Sequence, residues 1–329
     1  MTPVIKCSII ITVFDRIKYL EEALRSVENQ KVSKDLFDVL VISNIEINLS
    51  SHFNLDLKVV ISDRMSLAGK VAEGILLAKN DVLTFLEDDD LYCKERILTV
   101  IEAFKKYKGL TYYHNASSHF RTAYEHEKLC SLNNNLKRKN KVLKIGDKET
   151  IRIYEKYLNK KRADFNLSSM AFRKDFLTSY VGLISNLGTR YIDSFLFFVA
   201  LFKGNLIMID DSILAGTRVH PNNASQSVKI NKESSSDIKF SEDMEKVTDA
   251  LSQTNIVDEM LIQKWFKIRS FDDIMKSNSI SRRYALITMI NLFKFYKLDF
   301  MKSDVAKKGI AYIVSPKMMR KMLVLFHST

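Results

Sequence analysis

Glycine and proline are scarce, with nine Gly and three Pro in 329 residues. That scarcity argues against flexible linkers and low-complexity segments. Only three cysteines occur, Cys7, Cys93 and Cys130, and no two stand in a CxxC spacing. Their spacing suggests neither a zinc site nor a disulfide framework, and a reducing compartment fits. Long apolar runs are missing as well. The N-terminal MTPVIKCSIIITVF has too short an apolar run for a signal peptide and no small-residue cleavage site. The densest later run, Phe195 to Phe202, falls far short of a membrane span. No internal repeat is visible. These absences point to a cytoplasmic protein, free or on a membrane surface. What is present is 46% hydrophobic content, enough for a substantial core in one large domain or two.

Charge is unevenly spread. The formal net charge is +12, and from Lys276 to the end eleven Lys and Arg stand against only Asp299 and Asp304. A basic block of that kind points to an anionic surface, either lipid headgroups or nucleic acid.

Apolar patterning gives the organisation. Ile5–Val13, Phe37–Ile42, Leu57–Ile61, Val82–Leu86 and Leu110–His114 are short runs rich in β-branched and aromatic residues, which predicts buried strands. Between them, Tyr19–Gln30, Gly69–Ala78 and Lys94–Lys106 carry apolar residues at helical spacing, with Ser66 placed to cap the second. Strands alternating with helices predict a parallel sheet of βαβ units. Residues 115–164 are polar and basic with weak periodicity, so they read either as a surface insertion or as a substrate-contacting loop. A strand pattern resumes at Phe165–Phe172. Arg190–Lys203 predicts a buried helix, Leu206–Ile209 and Ala215–His220 predict strands, and the chain from about Ser241 has a helical pattern.

Three groups of polar residues stand out. Glu87, Asp88, Asp89 and Asp90 fall at the C-terminal end of the fourth strand, where ligands bind in open α/β sheets. Four adjacent carboxylates repel one another, and a hard divalent cation with a diphosphate is a common remedy. The alternative is a solvated acidic turn. Asp193 is the lone acid of an apolar helix. A buried carboxylate is costly unless it is paired or at a cavity wall, and burial moves its pKa towards that of a useful general base. Pairing with Arg190 is the alternative. Arg218 and His220 alternate on one strand and face the same side. They suit a diphosphate clamp and a metal or phosphate contact, or a strand end with a capping histidine.

Four segments in fixed order, SIIITVFDRIKYLEEALRSVENQ, LAGKVAEGILLAKNDVLTFLEDDD, RYIDSFLFFVAL and TRVHPNNAS, resemble the family 2 inverting glycosyltransferases of the GT-A fold. The resemblance covers roughly residues 5–225. It implies a GT-A architecture, α/β and Rossmann-like, with a mainly parallel sheet flanked by helices. A helical, basic C-terminal region follows, so that residues 1–225 form the catalytic domain and 226–329 the tail. It also implies a nucleotide-diphosphate sugar donor, an acceptor on a glycan or lipid-linked carrier, and Mn²⁺ or Mg²⁺. Carried over residue by residue, Asp89 and Asp90 match the metal motif, with Glu87 at its first acid position and His220 beside it. Asp193 matches the base. Thr12, Phe14, Asp15, Asn44, Lys70, Asp88 and Arg218 fall at the nucleotide-sugar site. The chain departs from the family at Glu87 (usually Asp), Asp15 (usually Asn), Ser43-Asn44 (usually Asp-Asp) and Ile192 (often an acid). These departures leave the nucleotide open.

Two other functions compete. A phosphatase of the haloacid dehalogenase type also uses an acidic motif at a strand end, but after the first strand and before Thr or Val; here Leu91-Tyr92 follow the fourth. A degenerate nucleotide-sugar-binding or scaffold protein would show departures such as Glu87, Ser43 and Asn44. The aromatic residues of the tail fit amphipathic helices better than a base-stacking platform, which argues against nucleic acid. Those helices either lie on an anionic membrane or pack on the protein, including as a homodimer interface.

Overall fold

The computed structural model describes residues 4–14, 17–49, 52–133, 140–144, 162–189 and 191–220; beyond these it describes 243, 246–254, 304–314 and a few positions between 283 and 293. Two compact units result, Met1–His220 and Pro221–Thr329. Asp15, Arg190, much of the 115–164 insertion and most of the basic tail lie outside the described residues.

The first unit is built on a nine-stranded sheet with the order β3-β2-β1-β4-β8-β6-β9-β5, and β7 pairs with β9. β1 (Cys7–Val13), β2 (Phe37–Ser43), β3 (Leu57–Ile61) and β4 (Val82–Glu87) are mutually parallel. β1 and β2 are buried along their whole length, as runs of Ile and Val covered on both faces should be. Helix α1 (Leu20–Glu28) buries Leu20, Ala23, Leu24 and Val27. Helix α2 (Leu67–Leu77) starts where Ser66 accepts a hydrogen bond from Gly69 N, satisfying one of the free N–H groups of the first turn. A Cβ on Gly74 would collide with Ile10, so α2 lies against β1 as closely as glycine allows. α3 is Arg96–Lys106.

The far half of the sheet is mixed. β5 (Leu91–Tyr92) and β7 (Asn140–Lys144) pair antiparallel with β9 (Leu206–Arg218), while β6 (Leu110–Phe120) runs parallel to β9. β8 (Met170–Arg173) is antiparallel to both β4 and β6. Here the structure corrects the sequence reading at several points. β6 runs on to Phe120, and the insertion contributes α4 (Ala123–Asn133) and β7. The run expected to be a strand from Phe165 begins with a 3₁₀ turn, Leu167–Ser169, because Asn166 takes a left-handed φ of 69°. The two strands expected at 206–209 and 215–220 are one. Short helices α5 (Lys174–Thr178) and α6 (Val181–Asn186) lead to α7 (Ile192–Lys203).

In the second unit, α8 (Asp304–Val314) buries Ala306, Ala311 and Tyr312 and exposes Ile310 and Val314. Among the described residues, no helix is long and apolar enough to cross a membrane.

Candidate active site

The C-terminal ends of β1, β2 and β4 bring the polar residues together. Glu87 ends β4, and the turn after it is closed by Asp90 N donating to the Glu87 carbonyl at 3.1 Å. One carboxylate oxygen from each of Glu87, Asp89 and Asp90 lies within 4.8 Å of the other two. Burial, then Asp90 and Asp89, hold the Glu87 carboxyl well above the usual carboxylate range. Burial and Asp89 push Asp90 up to about 8. A cluster of acids that resists ionisation in this way is one that a divalent cation would relieve, so the residues fit a bound Mn²⁺ or Mg²⁺. His220 sits beside them, with Nε2 2.8 Å from Asp89 Oδ2, and Asp88 is buried in the same turn. Thr12 on β1 is in register with Glu87.

Arg218 reaches this turn from the end of β9. Its backbone N donates to Asp90 Oδ1 (3.0 Å), its Nε to the Asp89 carbonyl (2.9 Å) and its Nη2 to Glu22 Oε2 (2.8 Å). The guanidinium lies between the rings of Tyr19 and Phe120, 4.3 and 4.7 Å from their centroids. Its planar fork thus holds the acidic turn from behind.

Asp193 occupies the first turn of α7. Its Oδ1 accepts from Ser194 N (2.8 Å) and its Oδ2 from Asn166 N (3.2 Å). An acid is favoured there by the unpaired N–H groups and by the helix dipole. The apolar length of α7 thus does not bury the carboxylate, and it remains partly exposed.

Lys70 is fully buried on α2. Its Nζ donates to the Val13 carbonyl (2.5 Å) and to Asn44 Oδ1 (2.9 Å), and it lies 3.5 Å from the Phe14 ring centroid. Lys70, Asn44 and Phe14 therefore meet at the ends of β1 and β2.

Two residues escape the sequence reading. Ser168 Oγ donates to Asp90 Oδ2 (2.7 Å) and accepts from Glu87 N (3.1 Å). Asn166 accepts from Ser168 N (2.9 Å) through Oδ1 and donates to Thr217 Oγ1 (2.5 Å) through Nδ2. Together they stitch Asp193 to the acidic turn. The only signal for them is an Asn before a Ser-Ser pair, a common turn pattern. Cys93 and Cys130 form a disulfide, which corrects the expectation drawn from their spacing. Elsewhere, a groove of about 800 Å³ lined by Ile5, Phe104, Lys108, Arg173 and Lys203 opens at the opposite edge of the parallel strands, and none of the site residues lines it.

The acid cluster lies at the C-terminal edge of parallel strands, where open α/β sheets bind their ligands. Residues 8–164 match the sequence model of Glycosyl transferase family 2. Residues 8–164 thus carry a family 2 glycosyltransferase domain of the GT-A fold. Its structure is similar to that of S. aureus TarS 1-349 in complex with UDP-GlcNAc, at 13% identity and TM-score 0.49 over 93% of this chain and 90% of that one. It is also similar to the mannosyltransferase PcManGT from Pyrobaculum calidifontis in complex with GDP-Man and Mn²⁺, at 12% identity and TM-score 0.45 over 97% and 86%. A longer S. aureus TarS structure matches at 12% identity and TM-score 0.46, covering 90% of this chain, which spans 54% of that one. No curated protein matches the chain.

Proposed function

We propose that the chain transfers a sugar from a nucleotide-diphosphate sugar to an acceptor hydroxyl with inversion at the anomeric carbon. The observation that carries this reading is the convergence of one carboxylate oxygen each from Glu87, Asp89 and Asp90 within 4.8 Å, linked through Ser168 and Asn166 to Asp193. Asp89, Asp90, Glu87 and His220 are the residues that would hold Mn²⁺ or Mg²⁺. When bound, the cation supplies Lewis-acid stabilisation of the departing diphosphate. Thr12, Phe14, Asp15, Asn44, Lys70 and Asp88 contact the nucleotide sugar. Arg218 keeps the acidic turn in place and adds positive charge behind it. Asp193 accepts the proton of the acceptor hydroxyl as its oxygen bonds to the anomeric carbon and the bond to the diphosphate breaks on the opposite face.

The test is a donor screen. One nucleotide sugar should raise the melting temperature when Mn²⁺ or Mg²⁺ is present, and the same donor should be consumed. Asp89→Ala should abolish turnover with the fold intact. A chain that binds a donor but neither transfers nor hydrolyses it with Mn²⁺ is a degenerate binding protein, and the transfer reading is then wrong.

For the acceptor, we propose a glycan or lipid-linked hydroxyl reached from an anionic membrane surface. Leu286, Ile287, Ile290 and Phe293 are each 45–49% exposed and recur at helical spacing beside the exposed Arg283. Each Lys or Arg near an anionic leaflet contributes about 1 kcal/mol. Co-sedimentation with anionic vesicles at low salt tests this, against a truncation ending near Ser270. If both forms stay in the supernatant, the tail packs on protein and a soluble acceptor is the better reading.

A further inference from the structure

The disulfide joins two elements of the site wall. Cys93 follows β5, three residues after Asp90, and is 2% exposed. Its N donates to the Leu214 carbonyl at 2.9 Å and its Sγ lies 3.4 Å from the Ile213 carbonyl, both on β9. Cys130 belongs to α4 and is half-buried, so solvent reaches it. One turn earlier on α4, His126 places Nε2 3.3 Å from Cys130 Sγ. A Cβ on Gly216 would collide with this imidazole, so β9 carries glycine where the ring packs. Burial lowers the His126 pKa, which favours the neutral ring in the resting chain. The third cysteine, Cys7, is fully buried on β1, and burial pushes its thiol up to about 12. It takes no part.

We propose that Cys93–Cys130 is a thiol–disulfide exchange site, opened by a small dithiol and closed by its cyclic disulfide, with His126 as the proton carrier. In opening, the incoming thiol gives its proton to His126 Nε2 and its thiolate attacks Cys130 Sγ, the exposed sulfur. The S–S bond breaks and Cys93 leaves as a thiolate. Its Sγ lies within 4.8 Å of the Cys130 and His126 ligand atoms and takes the proton from the imidazolium. The second thiol of the reductant then attacks its own sulfur in the mixed disulfide. Cys130 leaves and is protonated through His126 by the same route. Two electrons and two protons pass from the dithiol to the protein, and closing reverses each step.

The state of this bond is coupled to the acidic turn. β5 pairs with β9 at Leu91–Gly216 and Tyr92–Ala215, and β9 ends at Arg218, whose N–H holds Asp90 Oδ1. Opening the bond frees α4 and its His126–Gly216 contact from that strand pair, so the open form holds Asp90 less firmly and binds Mn²⁺ more weakly. This coupling rests on the metal-site reading above, whereas the exchange itself does not.

The test uses the full chain equilibrated with reduced or oxidised dithiothreitol, alkylated in denaturant and mapped by mass spectrometry. The closed chain should alkylate at Cys7 alone and the open chain at all three cysteines, reversibly. Mn²⁺ affinity and melting temperature should fall on opening, and the Cys93→Ser/Cys130→Ser double variant should match the open chain in either buffer. His126→Gln should slow closing by roughly 10-fold or more while leaving the final ratio of closed to open chain near that of wild type. Three alkylated cysteines under oxidising conditions overturn the proposal, as does protection of Cys93 and Cys130 by bound zinc. An opening that moves neither Mn²⁺ affinity nor melting temperature overturns the coupling. If neither form binds Mn²⁺ while exchange proceeds, the metal-site reading falls and the exchange site stands.

Discussion

The Nε of Arg218 lies 2.9 Å from the carbonyl oxygen of Asp89, so the arginine at the end of β9 grips the backbone of the acidic turn rather than its solvent face. The same side chain reaches Glu22 on α1. Arg218→Lys keeps the charge but loses the fork. It should cost about 1–3 kcal/mol, the range for hydrogen bonds to charged or buried groups, because the Asp89 carbonyl and Glu22 cannot both be reached. Mn²⁺ affinity, measured by titration, should fall with it. A variant that loses stability but keeps full Mn²⁺ affinity would show that Arg218 supports the fold and not the turn.

The acid cluster makes cation binding pH-dependent. Asp90 stays protonated in the folded chain up to about pH 8, against an ordinary value of 3.8. Its folded pKa is raised, so its contribution to stability is full below about pH 4 and is lost as pH rises through 8. A cation needs the ionised form. The gain in melting temperature from Mn²⁺ should therefore grow from pH 6 to pH 9. Asp90→Asn should be more stable than wild type at pH 9 without metal, and should gain little from Mn²⁺. A Mn²⁺ effect that is flat across this range, or equally large in Asp90→Asn, would remove Asp90 from the metal site.

His114 gives the opposite slope. Its ring is buried, Nε2–H donates to the Phe165 carbonyl at 2.9 Å, and burial lowers its pKa from 6.5 to about 4. The unfolded chain takes up this proton first as pH falls. The stabilisation is complete above 6.5 and is lost as pH falls through 4, by about 3 kcal/mol at most. His114→Gln keeps a donor and cannot titrate. The difference in stability between wild type and His114→Gln cancels the acid cluster's contribution, so that difference should shift in favour of the variant between pH 7 and 4. A constant difference would mean that His114 does not titrate in this window.

The parallel half of the fold was legible because β1, β2 and β4 are mostly apolar, buried runs, and Ser66 marks the start of α2. The acidic turn was legible as a cluster because four adjacent acids stand at a strand end; that Asp88, Asp89 and Asp90 are buried rather than solvated comes from packing. The remainder depends on long-range packing. β8 is four residues long and its antiparallel entry leaves no local trace. Lys70 lies on a helix whose burial is not visible locally, and it is drawn inside by the Val13 carbonyl and Asn44. Arg218 stands beside the acidic turn, but the direction of its guanidinium depends on Glu22, 196 positions away. Cys93 and Cys130 are 37 positions apart, and only the pairing of β5 with β9 and the placement of α4 bring them together.

Asp193 and Asn166 can be separated by their variants. Asp193→Asn keeps one acceptor oxygen, enough for Ser194 N at the start of α7, while its amide nitrogen cannot accept from Asn166 N; it also cannot take a proton. Turnover should fall by roughly 10²–10⁴-fold, with donor and Mn²⁺ binding nearly unchanged. Asn166 acts through its neighbours. Its φ of 69° is tolerated by Asn or Gly and strained for Ala. Asn166→Gly keeps the backbone and removes the bonds to Ser168 and Thr217, whereas Asn166→Ala adds strain to the same loss. If the turn positions Asp193 and Asp90, Asn166→Gly should already lower turnover and Mn²⁺ affinity together, and Asn166→Ala should further lower the melting temperature. Wild-type turnover in Asp193→Asn would move the base elsewhere. Wild-type turnover in Asn166→Gly, with Asp193→Asn inactive, would leave the base in place and show that the Asn166 side chain does not position it, the backbone N–H groups of residues 166 and 194 sufficing.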